Sequence, residues 1–429
     1  MATNAGHPAW LLTAAEGYVG DRSNERTATG FTSKGLSIKA SFFPNRPPQP
    51  SKLWAHCPEA AVVETPRVLC IAGDLILFRV PISSGPVRGN SFLWPLDSDY
   101  FVYRADPNLR VLKQLLTDVH SRKFEDCEVG ILPRGLHDYT IAALVPVPPT
   151  IDTFKLHLFH SETCSWTSMV LPVAEPQEGF DRVIPTNTDL HRHDTSNVIT
   201  IGGEYGTMGW VDLWRGILFC DVLREKPALR GIPLPLPMYH ITGGDGKGLY
   251  LGRAMDCRGI AFVNGCLKFV QLDITGNYLL NGPIDGETGF PALLVSDWAI
   301  SSWTNSKMDN SYKAWGDAEC TVHASEVTIK TDMISDPTGM LLLPSEEGVE
   351  NPEQEAAYFP RLVISDPSPS LDGDGVVYLI AREKLYHPKS WVLALDMNSR
   401  TLQSVVPFGI VEDPCDSVVY CTSRSASNA

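Results

Sequence analysis

Apolar residues recur along the chain in short runs, bounded by Gly, Pro, Asn and Asp, with little spacing at three and four residues. That pattern predicts strands. Val68 to Val80 reads as two strands around a Gly73-Asp74 turn, and Tyr100 to Tyr103 follows. Tyr139 to Val147, Phe154 to Phe159, Val198 to Ile201, Gly209 to Val222 and Gly259 to Ile274 continue the series. Val327 to Ile329, Val376 to Ala381 and Trp391 to Asp396 complete it. Leu36 to Phe43 adds an early strand, and Leu109 to His120 offers either an amphipathic helix or a strand and a loop.

Several segments share one scheme, in which a strand turns back through an aromatic or β-branched residue. Phe154 to Leu171 turns at Ser-Glu-Thr, Trp391 to Val406 at Asp-Met-Asn-Ser, and Gly259 to Ile274 at Asn264-Gly265. An Asn-Gly pair between two apolar runs is a strong hairpin signal, because both turn positions require positive φ. Units of about 40–50 residues match the blade repeat of propellers. The fold class expected is therefore mostly β and propeller-like, with six or seven blades; a sandwich or two stacked β domains is the alternative. Residues 1–55 are expected to form an N-terminal strand and loop segment, and residues 56–425 one large β domain. Pro344 to Gln354, acidic and without periodicity, is expected to be a loop.

Composition narrows the classes of function. The 429 residues carry 35 Lys and Arg against 50 Asp and Glu, a formal charge of −15. That balance repels nucleic acid and anionic membranes. Neither nucleic acid nor a membrane is expected as a partner. The ten cysteines form no C-x-x-C pair, and Cys70, Cys220 and Cys266 sit in apolar runs as small core residues would. Met1 to Leu12 does not read as a signal peptide, and no N-x-Ser/Thr acceptor occurs. A reduced, intracellular chain of cytoplasm or nucleus is expected.

Candidate chemistry is thin. Asp189 to Asp194 alternates acids with His191 and His193, yet lacks the ligand set and spacing of a zinc site. His157 and His160 point to opposite faces of a strand. Gly243 to Gly248 lacks the spacing and the Ser or Thr of a phosphate loop, and Gly202 to Gly206 lacks a dinucleotide fingerprint. Asp372-Gly373-Asp374-Gly375 is a turn short of the ligands of a calcium loop. No catalytic residue, metal ligand or cofactor is predicted. The segment of most interest is Gly209 to Leu223, GWVDLWRGILFCDVL. As a strand it places Trp210, Asp212 and Trp214 on one face, with Arg215 on the other. Trp210, Asp212, Trp214 and Arg215 are the candidate interaction surface. The competing reading makes the tryptophans core wedges and lets Asp212 pair with Arg215 or cap a turn.

With the Leu229 to Pro235 stretch that follows, this segment resembles the Domain of Unknown Function 1618 family, which is expanded in grasses. PAWLL, SKLWAHCP, YFVYRADP, GILPRG at 130–135 and SWVLALDMNSRTLQSV are similar to flanking features of the same proteins. The resemblance covers nearly the whole chain and implies a core domain at about 211–350. It implies no catalytic residue and no cofactor. Some members carry an F-box, for which residues 1–55 show no helices. Three functions stand: a non-enzymatic module binding a protein partner, a substrate-recruiting component of a ubiquitin ligase, and a hydrolase with acidic groups in a propeller channel.

Overall fold

Strands with apolar residues on both faces must be covered on both faces, and this chain meets that demand by stacking one sheet on the next. The computed structural model describes residues 10–59, 61–62, 65–83, 98–115, 124–175, 193–235, 253–278, 282–329, 359–410 and 420–424. Among them there is one α-helix, the single turn Ala254–Cys257; the rest is strands, turns and short 3-10 segments.

Six groups of mainly antiparallel strands follow one another. The first comprises Tyr18–Val19, Ala28–Phe31, Ser37–Phe43 and Lys52–His56. The second comprises Arg67–Ala72, Leu75–Ser83, Ser98–Arg104 and Val111–Leu115, with Ala61–Val62 at its margin. The third (Val129–Arg134, Asp138–Pro146, Thr153–His160, Ser165–Glu175) and the fourth (Asn197–Gly202, Thr207–Asp212, Gly216–Asp221, Leu229–Pro233) are simple meanders. Their last strands pair in parallel through Val173 and Leu229, so the two form one eight-stranded sheet. The fifth is built on a long ribbon, Cys266–Tyr278 with Leu293–Asn305, flanked by Arg258–Val263 and Cys320–His323. The sixth runs Val363–Pro369, Val376–Arg382, Lys389–Asp396 and Thr401–Ile410.

The core lies between these sheets. Phe42 and Leu53 of the first meet Phe78 and Phe101 of the second. Leu77 and Val102, on the second sheet's other face, meet Ile131 and Ile141 of the third. The series continues through Leu156 against Trp210, Phe219 against Phe269, and Leu272 against Leu379. Trp10–Ala14 then closes the series. Trp10 and Leu12 pack on Tyr378 and Ile380 of the sixth sheet, Leu11 joins the core of the first two, and the strand pairs with Tyr420–Arg424.

Connectivity gives the sheets two unlike ends. The first strand of each group from the second to the sixth starts at what we call the entry end, and its tight hairpin lies at the opposite, turn end. The strands flanking 84–97, 116–123, 176–192, 236–252 and 411–419 all meet those connections at the entry end. The turn end carries short hairpins: Gly73-Asp74, Gly135 to His137, Gly203 to Gly206 and Asn264-Gly265.

The strands read from sequence are present, and the Asn264-Gly265 hairpin has positive φ at both residues, 50° and 83°. Val111–Leu115 is a strand, while 116–120 lies outside the described residues. Cys70 and Cys220 are core residues; Cys266 opens a strand straight after a turn and is half-buried. The sequence reading divided the chain at residue 55; residues 18–56 form a sheet that shares a core with 67–115. Pro344 to Gln354 and Gly243 to Gly248 lie outside the described residues.

The closing strand predicts a stability effect. Leu12 is fully buried, so Leu12→Ala is expected to lower the unfolding free energy by about 2–5 kcal/mol. Denaturant titration checks this, with exposed Val170→Ala, expected to shift it by less than about 0.5 kcal/mol, as the comparison.

Candidate functional site

At the entry end, charged residues run inward along the seam between the fourth, fifth and sixth sheets. The segment singled out from sequence begins it. Trp210 ends up fully buried between the third and fourth sheets, where its indole N–H donates to the Glu128 carbonyl at 2.8 Å. Asp212 ends its strand, and its carboxylate accepts the backbone N–H of Asp194 at 3.0 Å and of Trp214 at 2.8 Å. Arg215 stands 3.8 Å from that carboxylate, and both side chains are 3% exposed. Trp210, Asp212 and Arg215 are thus interior residues and Trp214 is half-buried. The strand stops at Asp212 because the Asp212 carboxylate satisfies the turn that Trp214 and Arg215 enter. Alternation of faces therefore ends there.

Arg258, which sequence reasoning passed over, is the centre of the seam. Its guanidinium is buried, donates to Gln271 Oε1 at 2.8 Å and to the Leu213 carbonyl at 3.0 Å, and lies 5.0 Å over the Trp214 ring. Gln271 passes the chain of bonds to Asp273 at 2.9 Å. Planar stacking and directed donors of this kind suit arginine and not lysine. Its signal in the sequence is a charge at the head of an otherwise apolar strand.

Further in lies Asp366, buried in left-handed backbone at φ 54°, on an irregular stretch of the sixth sheet's first strand. Ser365 Oγ donates to it at 2.6 Å, and Arg382 donates to Ser365 Oγ at 3.2 Å. The bend brings the Pro367 carbonyl so close to Gly259 that a Cβ there would sit 1.7 Å from its oxygen. Only glycine fits at 259.

Burial controls the protonation of this seam. It pushes the Asp366 carboxyl up to about 7, with nearby Asp256 adding to the rise. It pushes Asp212 up to about 6 against the pull of its backbone donors and Arg215. His193, edge-on to Phe154 at 5.9 Å between ring centroids, is driven down to about 3 by burial, with Arg215 acting in the same direction. His193 and Asp194 of the sequence cluster are described, and residues 189–192 are not. No group of three or more potential metal ligands gathers among the described residues.

The open feature lies at the turn end of the third and fourth sheets. A cleft of about 400 Å³ is bordered by Leu132, Arg134, Asp138, Glu162, Gly203 and Leu223. Gly206, behind Leu132, is in left-handed backbone at φ 61°, and a Cβ there would sit 2.6 Å from that side chain. Leu136 and Tyr205, on the hairpins to either side, are 71% and 42% exposed, and Arg224 stacks on Tyr205 at 3.9 Å. Arg134 pairs with Glu162, and Arg224 with Asp221 at 2.8 Å.

These features define a mostly β protein of successive antiparallel sheets closed by its terminal strands. Residues 210–378 match the family model described as Protein of unknown function (DUF1618). The match begins at Trp210 and takes in Asp212, Arg258 and Asp366. No curated protein matches the chain. Among solved structures, a mutant of the Synechocystis apocarotenoid oxygenase is similar at 9% identity and a TM-score of 0.32, covering 94% of this chain and 78% of that one. AztD of Citrobacter koseri is similar at 11% identity and a TM-score of 0.32, covering 94% and 89%. Likeness this distant assigns neither a ligand nor a reaction. Among the described residues no helix is long and apolar enough to cross a membrane.

The seam makes stability depend on pH. Asp366 has a folded value near 7 against 3.8 for an open aspartate, so between these the folded chain holds a proton that the unfolded chain has lost. Its contribution is full below about pH 4 and is lost as pH rises through about 7, a span worth a few kcal/mol at most. Asp366→Asn is expected to flatten that loss, gaining on the wild type as pH rises from about 4 to 8. Urea midpoints across that range test it, and parallel curves for the two proteins would refute it.

Proposed function

We propose that this chain is a protein-interaction module whose six sheet groups are the blades of a propeller-like disc, and that it holds a partner instead of transforming a substrate. The observation that carries the reading is the pairing of a rigid, open cleft with two exposed side chains, Leu136 and Tyr205, on hairpins fixed to the core. Tight hairpins on a packed scaffold present contact groups at low entropic cost. By contrast Asp212, Arg258 and Gln271 of the entry-end seam are engaged in bonds to their own chain, although both buried ring nitrogens of His193 have no hydrogen-bond partner among the described residues. Trp210 and Asp212 contribute to recognition by fixing the strands that carry the cleft, and Trp214 and Arg215 fix their far ends. The partner is a protein; the charge of −15 disfavours nucleic acid and anionic lipid.

The test is affinity capture of tagged protein from cells that express it, beside a Leu136→Asp/Tyr205→Ala variant. Both positions are exposed, so the variant is expected to unfold within about 0.5 kcal/mol of the wild type. A specific protein recovered with the wild type and lost with the folded variant is the expected outcome. Failure to recover any reproducible protein would remove this reading.

Asp366 favours a second reading, acid–base chemistry within the disc, because a carboxyl held near 7 on strained backbone suits proton transfer at neutral pH. It requires hydrolysis of some substrate in a glycoside and ester panel, abolished in Asp366→Asn. Undiminished hydrolysis in that variant would count against it.

A further inference from the structure

The cleft at the turn end of the third and fourth sheets has a chemistry of its own, and it selects among partners. Its floor is apolar, from Leu132 and Leu223. Its charges do not cancel. The guanidinium of Arg134 is engaged by Glu162, and that of Arg224 by Asp221 and the face of Tyr205. Asp138 accepts only a weak hydroxyl bond from Ser161, at 3.3 Å, and has no basic partner among the described residues. Glu204, exposed on the adjoining turn, has none either. The charged groups that line the cleft are Arg134, Asp138 and Glu162; with Arg134 engaged by Glu162, a cation entering it meets Asp138, with Glu204 on the turn beside it.

Size and shape add to this. About 400 Å³ holds one or two long side chains and no folded element. Gly202 and Gly203 border the cleft with φ of 82° and 77°, and no neighbouring atom comes within 3.8 Å of where a Cβ would be. That leaves room for an extended chain to pass close to the backbone of the hairpin. A lysine or arginine buries its aliphatic stem on apolar surface while its head stays with acids, which is the arrangement Leu132, Leu223, Asp138 and Glu204 offer. The net charge of −15 would draw such a segment in.

We infer that the cleft between the 134–138 and 202–206 hairpins binds an extended cationic segment of a partner protein, a lysine or arginine next to an aliphatic residue. The inference rests on the interaction-module reading and names its partner.

A positional-scanning array of short peptides, probed with the purified full chain, tests it. The wild type is expected to select Lys or Arg beside Leu, Ile or Val. Asp138→Lys/Glu204→Lys is expected to weaken the selected peptides by roughly tenfold or more. Glu59→Lys/Asp317→Lys, an equal change of charge at exposed positions outside the cleft, is expected to keep them. Equal loss in both doubles would mean general attraction to an acidic protein and would overturn the inference. Selection of acidic or uncharged peptides, absence of selection, or full binding by the cleft double would overturn it as well. A protein captured from cells by the wild type and also by the cleft double would leave the interaction module standing and remove the cleft as its site.

Discussion

The second to sixth sheets carry core clusters on both faces, and that constraint governs most of what the chain does. A sheet with two apolar faces cannot end a stack, since its outer face would remain in water. The chain avoids a last sheet by returning its first strand to the sixth. Trp10 and Leu12 cover Tyr378 and Ile380 on one side, and Leu11 reaches the first two sheets on the other. Burial of all five residues of Trp10–Ala14 follows from this position and from nothing local in its sequence.

Much of the fold was legible because two-faced burial leaves continuous apolar runs. Tyr139 to Val145, Ile217 to Cys220 and Val376 to Ala381 announce themselves as strands. The strands that escaped reading lie in less protected places or mix polar and apolar residues. Ala28–Phe31 is an outer strand with exposed positions, so water accepts polar residues there. Leu293–Asn305 alternates Ser and Trp through a long ribbon and offers no apolar run of strand length. Pairing across 20 residues or more supplied what local pattern did not.

The site was less legible, for a different reason. Trp210, Asp212, Trp214 and Arg215 stood out as an amphipathic group, and amphipathic groups on a two-sided sheet have no outer face to occupy. Asp212 and Arg215 are tolerated inside because each meets hydrogen-bond partners or a counter-charge. Arg258 and Asp366 were missed because a single charge in an apolar strand looks like an edge residue in sequence. The cleft was missed too, since Leu132 and Asp138 belong to one hairpin and Gly203 and Leu223 to another meander, and only the packing of the two meanders brings them together.

The two ends of the sheets divide labour in consequence. At the entry end, first strands and returning connections converge, so buried charge there must be matched group by group, as Arg258 is by Gln271 and the Leu213 carbonyl. Matching of that kind fixes sheet against sheet and leaves little polar capacity for a ligand. At the turn end, hairpins are short and their tips stand in water, so side chains there are free of the core's demands. Asp138 and Glu204 lack counter-charges at no cost because solvent screens them. A protein built this way acquires a binding surface where packing asks least of the sequence, and it can change that surface without touching the seam that holds the sheets together.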